Sequence, residues 1–171
     1  METGYVHVYT GDGKGKSTAA FGVALRAACA EKKVYVGQFV KDMAYSETAV
    51  TEKYANITIE QLGRGCFISK NPEQEDIDMA GLALKRCKAV LAEGSYDLVI
   101  LDEVFIAIYY NLLTTAEVLA TLKERASHVE VILTGRYAPD EIIEYADLVT
   151  EMKEIKHYYE QGVLSRKGID C

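Results

Sequence analysis

The 171-residue sequence has few features of membrane, secreted or nucleic-acid-binding proteins. No apolar run reaches the length of about 18 residues that a membrane-spanning helix needs, and the first residues do not have the pattern expected of a signal peptide. The four cysteines form no Cys-x-x-Cys pair, which argues against a zinc site or a dithiol redox centre. A net charge of −7 argues against a nucleic-acid binder, because such proteins need a basic face. These absences predict a cytoplasmic protein with reduced thiols and neither membrane nor nucleic-acid partners.

The sequence also lacks Pro-rich linkers, repeats and low-complexity tracts, and it contains no tryptophan. Only two residues are proline, whereas 49% of the residues are apolar and 26% are charged. This balance is typical of a globular chain that buries one full-sized core. We therefore predict a single domain that spans residues 1–171.

Short apolar runs alternate with helical patterns along the chain. The predicted strands are Tyr5–Tyr9, Val34–Val40, Ile57–Leu62, Leu98–Leu101, Val129–Leu133 and Leu148–Met152. The predicted helices are Ser17–Ala30, a helix that begins at Asn71-Pro72 and buries Ile77, Ala80, Leu84, Cys87 and Leu91, a helix opened by a Thr114–Glu117 capping box, and Pro139–Ala146. This alternation predicts an α/β fold in which a mostly parallel sheet of about six strands carries helices on both faces.

A phosphate-binding loop is predicted directly after the first strand, where residues 10–18 have the sequence Thr-Gly-Asp-Gly-Lys-Gly-Lys-Ser-Thr. Alternating glycines tolerate positive φ, so the backbone N–H groups can turn toward an anion. Lys16 would add a positive charge, and the Ser17 hydroxyl would ligate Mg²⁺. The alternative is a solvated Gly/Lys-rich turn, but the flanking strand and helix favour the phosphate loop. The general pattern has glycine where this chain has Thr10, so the loop is a variant.

A second chemical pattern is the apolar run 98–101 followed by Asp102 and Glu103. At the end of a buried strand, Asp102 would face the Mg²⁺ held by Ser17, while Glu103 would contact the metal or the substrate, or activate water. A solvated acidic turn is the alternative, and the nearby phosphate loop favours the metal site. The predicted metal ligands are therefore Ser17, Asp102 and Glu103, in a P-loop (RecA-like) architecture. Segments 41–56 and 63–70 follow strands and are predicted walls of the site.

Several further segments are specific in combination with the variant loop. They are Gln38–Lys41, Leu101–Glu103, Thr134-Gly135-Arg136 with Ala138-Pro139, Lys156-His157 and the closing Lys167-Gly168-Ile169-Asp170. Together these segments resemble the ATP:corrinoid adenosyltransferases of the phosphate-loop type, and the resemblance runs from Tyr5 to the last residues.

The resemblance implies a reaction in which the Co(I) of a corrinoid attacks the 5′ carbon of ATP and triphosphate leaves, in adenosylcobalamin synthesis or salvage. It implies ATP as co-substrate, Mg²⁺ or Mn²⁺, a corrinoid substrate, a flavoprotein reductase that supplies the electron, and a homodimer. The family holds ATP reversed relative to ordinary phosphate-loop enzymes, which leaves the 5′ carbon reachable.

The resemblance also implies the residues of the site. Lys16 and Glu103 are the catalytic candidates, and the amide groups of residues 13–18 would stabilise the triphosphate. The residues expected to bind ATP or the corrinoid are Thr10, Gly11, Gly13, Lys14, Gly15, Lys16, Ser17, Thr18, Phe67 and Arg136. Well-known members carry an N-terminal extension and a Phe-x-Trp pair after the third strand. This chain has nine residues ahead of the loop and offers Phe67 and Ile68 as the apolar wall.

Two other functions remain open from the residues alone. One is a P-loop ATPase or small-molecule kinase with Glu103 as base, which would release phosphate or ADP rather than triphosphate. The other is a non-catalytic corrinoid or nucleotide carrier that has kept the fold.

Overall fold

A six-stranded parallel sheet organises the computed structural model, which describes residues 3–40, 46–63 and 72–170. The strands are β1 (Val6–Thr10), β2 (Val34–Gln38), β3 (Ile57–Gln61), β4 (Leu98–Asp102), β5 (Glu130–Thr134) and β6 (Leu148–Glu151). Their order is β3-β2-β4-β5-β1-β6, and every pairing among the described residues is parallel. The predicted α/β class and strand number are confirmed.

Helices connect the strands. They are α1 (Lys16–Cys29), α2 (Gln74–Glu93), α3 (Val104–Tyr109), α4 (Thr115–Lys123) and α5 (Asp140–Tyr145), with 3₁₀ turns at Ser46–Glu52 and Tyr158–Gln161. The predicted capping box at Thr114 is present, because the Glu117 carboxylate accepts the Thr114 N–H at 2.8 Å. Helix α2 begins later than predicted, since the Asp76 carboxylate accepts the Glu73 N–H at 2.9 Å and makes Glu73 the N-cap. Asn71, the predicted cap, lies outside the described residues.

The core has two parts, one on each face of the sheet. Side chains alternate between faces along β4, so Leu98 and Ile100 pack on one face while Val99 and Leu101 pack on the other. Alanines of α1 cover the first face, and residues of α2, α3 and α4 cover the second. Helices therefore lie on both faces, as predicted.

The parallel arrangement brings the carboxyl ends of β1, β4 and β5 to one edge of the sheet. These strands end at Thr10, Asp102 and Thr134, all of which are buried. The chain that follows β6 crosses the same edge, because the Met152 N–H donates to the Thr10 carbonyl at 2.8 Å. Ligand sites of open α/β sheets lie at this edge. None of the described helices combines the length and apolar character that crossing a bilayer requires.

Candidate active site

The phosphate loop joins β1 to α1, as the sequence predicts. Gly11 and Gly15 adopt positive φ values of 96° and 123°. A Cβ at Gly11 would lie 2.4 Å from the Met152 carbonyl oxygen, so only glycine fits there. Helix α1 begins at Lys16, and the amide groups of its first turn have no partners within the helix. The loop and helix end together form an arrangement suited to an anion.

Lys16 lies against the backbone of this loop. Its Nζ donates to the carbonyl oxygens of Gly11 at 2.7 Å and Gly13 at 2.8 Å. Burial lowers the pKa of Lys16, and the positive charge of Arg136 lowers this pKa further. The negative charge of Glu103 raises it. The Lys16 ammonium is thus a buried cation whose protonation is favoured by the neighbouring Glu103.

The carboxylate of Asp102, at the end of β4, accepts hydrogen bonds from side chains of three other elements. Its Oδ1 accepts from Ser17 Oγ and from Thr134 Oγ1, both at 2.8 Å, and its Oδ2 accepts from Gln38 Nε2 at 3.1 Å. Asp102, Thr134 and Gln38 are fully buried. The predicted partners Ser17 and Asp102 therefore contact each other, through side chains from two different elements.

Glu103 lies in the turn between β4 and α3. It adopts the left-handed conformation with φ 61°, and its N–H donates to Thr134 Oγ1 at 3.0 Å. Thr134 thus links the two acidic residues, since its hydroxyl donates to Asp102 and accepts from Glu103. This turn places Glu103 on the wall of the cleft beside the phosphate loop.

The cleft above the loop has a volume of about 760 Å³. Lys14, Lys16, Ser17, Glu103 and Arg136 all line it. The Arg136 guanidinium also donates to the Asp12 carbonyl at 3.2 Å, which ties the turn after β5 to the loop. Three cationic side chains therefore converge on one cleft and can face a polyanionic ligand, while acidic side chains such as Glu103 also line it.

The chain after β6 forms another wall of the site; we call residues 152–170 the tail segment. Its backbone meets the loop where the Gly13 N–H donates to the Met152 carbonyl at 2.7 Å. Farther along, Asp170 pairs with Lys14, with 2.9 Å between Oδ1 and Nζ. A second cavity of about 330 Å³ lies between the loop and this segment and includes His157 among its lining residues.

A sequence model of the family described as ATP:corrinoid adenosyltransferase BtuR/CobO/CobP matches residues 2–171. The chain belongs to this family. The resemblance that the motifs predict is confirmed.

Three proteins named corrinoid adenosyltransferase are similar to the chain along nearly its whole length. The Sinorhizobium protein is 38% identical over 173 residues, which cover 99% of this chain and 81% of the relative. The Escherichia coli K12 protein is 36% identical, with 99% and 86% coverage. The Pseudomonas aeruginosa protein is 37% identical, with 99% and 84% coverage. The family assignment thus includes the tail segment as well as the phosphate loop.

Most site residues that the family resemblance predicts do meet in the structure. The cleft is lined by Lys14, Gly15, Lys16, Ser17, Thr18, Glu103 and Arg136, with Asp102 buried beneath Ser17. From the predicted wall 41–56, Ser46 and Glu47 reach the same cleft. Phe67 and most of the second wall, 63–70, lie outside the described residues.

Two loop residues, both predicted to bind the ligand, also contact other parts of the chain. The Gly13 N–H donates to the Met152 carbonyl oxygen and is thereby engaged by the tail segment. Thr10 is the last residue of β1, and its hydroxyl accepts the Ala138 N–H at 3.3 Å. Its side chain thus contacts the turn between β5 and α5.

Thr134, Gln38 and Asp170 lie in segments that carry the family resemblance, but sequence reasoning gave none of them a role in the site. Thr134 and Gln38 are polar residues at the carboxyl ends of buried strands, and that pattern is a usable sign of a site in a parallel sheet. Asp170 is 156 positions from Lys14 along the chain, and no local pattern connects the two.

Proposed function

We propose that this chain transfers the 5′-deoxyadenosyl group of ATP to the Co(I) of a corrinoid and releases inorganic triphosphate. Membership of the adenosyltransferase family supports the reaction class. The observation that carries the proposal is the convergence of Lys14, Lys16 and Arg136 on the cleft beside the phosphate loop. Such a site suits a leaving group on which several negative charges collect.

In the proposed step, the electron pair of Co(I) forms the bond to C5′ of ATP. The bond between C5′ and its ester oxygen breaks, and that electron pair leaves with the triphosphate. Cobalt passes formally from Co(I) to Co(III), and no proton is transferred. The substrate itself brings the nucleophile, so the enzyme needs neither a nucleophilic side chain nor a general base.

The proposed task of the protein is therefore electrostatic stabilisation and orientation. Lys16 and the amides of the first turn of α1 would bind the triphosphate, and Lys14 and Arg136 would add charge from two other sides. Glu103 would favour the protonated form of Lys16, consistent with its effect on the pKa of that residue. The roles of Gly11 and Gly15 are conformational, because their positive φ values shape the loop.

Ser17 and Asp102 fit a Mg²⁺ ion, which we propose as the metal. Their oxygen atoms are 2.8 Å apart and are the hard ligands that Mg²⁺ prefers. Across residues 3–40, 46–63 and 72–170, no cluster of three His, Cys, Asp or Glu side chains could hold a metal unaided. Mg²⁺ in nucleotide sites commonly takes only one or two protein ligands, together with phosphates and water. When bound, the ion would neutralise charge that develops on the triphosphate.

Adenosylation assays would test the proposed function directly. Purified protein is mixed with ATP, Mg²⁺ and chemically reduced cob(I)alamin, and cobalt–carbon bond formation is followed in the visible spectrum. We expect adenosylcobalamin and inorganic triphosphate in equal amounts. Release of phosphate or ADP would instead identify an ATPase or kinase, and corrinoid binding without turnover would identify a carrier.

The partners are proposed on the family resemblance, and the location on the cysteine usage. We propose that a flavoprotein reductase supplies the electron that makes Co(I), that the enzyme is a homodimer, and that it acts in the cytoplasm, where free thiols such as Cys29 and Cys87 persist.

Phe67 is proposed as a corrinoid contact on the family resemblance alone. Replacement of Phe67 by Ala should slow adenosylation more when Co(II) must be reduced on the enzyme than when free cob(I)alamin is supplied.

A further inference from the structure

Lys14 is held by the tail segment rather than by the phosphate loop that contains it. Its Nζ donates to Asp170 Oδ1 at 2.9 Å and to the Ile169 carbonyl oxygen at 3.1 Å. An ammonium has three N–H donors, so these two bonds leave one N–H of Lys14 that donates to no other described residue. The Lys14 side chain lines both cavities of the site.

The carboxylate that holds Lys14 is itself fixed by two other residues. Tyr158 donates its hydroxyl to Asp170 Oδ1, and Arg166 donates its backbone N–H at 3.0 Å and its Nε at 3.1 Å to Oδ2. The Arg166 guanidinium also lies over the Tyr158 ring, 4.6 Å from its centroid. The Asp170 side chain is only 10% exposed. Asp170 is thus held by Tyr158 and Arg166 as well as by Lys14.

The charge of this arrangement remains positive. Arg166 compensates the Asp170 carboxylate, so the three side chains Lys14, Asp170 and Arg166 carry a net charge of +1. The carboxylate therefore fixes the direction of the Lys14 ammonium without cancelling its attraction for an anion in the cleft.

We propose that Asp170 is a positioning residue that holds Lys14 in place for the triphosphate. This inference rests on the proposed function, because it takes the triphosphate of ATP as the ligand of the cleft. A free lysine side chain loses rotamer freedom when it binds a phosphate, whereas one already held by Asp170 and Ile169 loses less. The tail segment is therefore part of the polyphosphate site.

Inorganic triphosphate with Mg²⁺ is the probe, and isothermal titration calorimetry measures its affinity for the full chain. D170N keeps the size of the side chain but removes the charged acceptor, so we expect its dissociation constant to rise about two- to tenfold. E160Q makes the same charge change at an exposed position of the same segment and should bind like the parent. D170E should recover part of the affinity, because it restores a carboxylate. A D170N protein that binds triphosphate as tightly as the parent, or more tightly, would overturn the proposal.

A double-mutant cycle with K14Q separates positioning from a general loss of structure. If Asp170 acts through Lys14, D170N should change the affinity of K14Q by less than twofold. If D170N instead disrupts the tail segment, it should weaken K14Q by the same factor as the parent, and that additivity would refute the inference. Y158F, which removes one anchor of Asp170, should shift affinity in the same direction as D170N by a smaller factor. None of these measurements needs a corrinoid, so their outcome is independent of whether the adenosyl transfer itself is observed.

Discussion

The hydroxyl of Thr134 should be worth several kcal/mol of stability, because it connects both acidic residues of the site. Replacement by valine keeps the shape of the side chain but removes its donor and its acceptor. The variant loses a hydrogen bond to the buried charged carboxylate of Asp102, worth about 2 kcal/mol, and the hydrogen bond from the half-buried Glu103 amide, worth about 1 kcal/mol. We therefore expect the free energy of unfolding to fall by about 3 kcal/mol.

Threonine to serine is the matched control at position 134. T134S keeps the hydroxyl and removes only a methyl group, so it should lose about 1 kcal/mol. Urea unfolding followed by circular dichroism measures the free energy of unfolding of both variants. If the slope of this free energy against urea concentration is the same as in the parent, the unfolded states are comparable. If T134V is no less stable than T134S, Thr134 does not hold Asp102 and Glu103 in the way described.

Three further outcomes follow from burial and charge. Burial lowers the pKa of Lys16, and binding of the triphosphate needs the protonated form of this residue. We therefore expect kcat/KM for ATP to fall as pH rises, at a pH below the pKa of an ordinary lysine. The Lys16→Ala variant should lose Mg-ATP binding at every pH, while its circular dichroism spectrum is unchanged. Ser17→Ala and Asp102→Asn should each raise the Mg²⁺ concentration needed for half-maximal activity by about tenfold, as measured by Mg²⁺ titration. Normal activity of both variants at limiting Mg²⁺ would place the metal elsewhere. Burial raises the pKa of the Cys87 thiol to about 12, so iodoacetamide at neutral pH should modify exposed Cys29 and spare Cys87 when the peptides are mapped by mass spectrometry.

The elements with strong local patterns were predictable from sequence. The continuous apolar run of β4 and the Thr114–Glu117 capping box each have a direct physical cause, and both appear where expected. Helix α3 was missed because residues 104–109 are all apolar and show no helical period. Its formation depends on the left-handed turn at Glu103, which local sequence does not reveal.

The site was predictable in its short motifs and in the Ser17–Asp102 pair, which joins two of those motifs. The phosphate loop and the acidic pair at the end of β4 are short motifs, and the sequence placed both correctly. Contacts made across the sheet were not predictable, because Thr134 meets Asp102 only through strand order. The pairing of Lys14 with Asp170 depends on the path of the tail segment, and that path is set by β6 joining the edge beside β1.

The position of β1 also constrains how the protein can be made. This strand is synthesised early, yet the Val6 amide bonds to Asp147, a residue 141 positions later, and the Tyr5 amide bonds to Glu130, 125 positions later. Such distant pairing slows folding, because a long loop must close before any contact compensates for its lost entropy. During translation, β1 can therefore pair with β5 only after β5 has left the ribosome, and with β6 later still. The phosphate loop cannot reach its final shape before then, so a nascent chain that stalls ahead of β6 should be unable to bind nucleotide and should depend on chaperones to stay soluble.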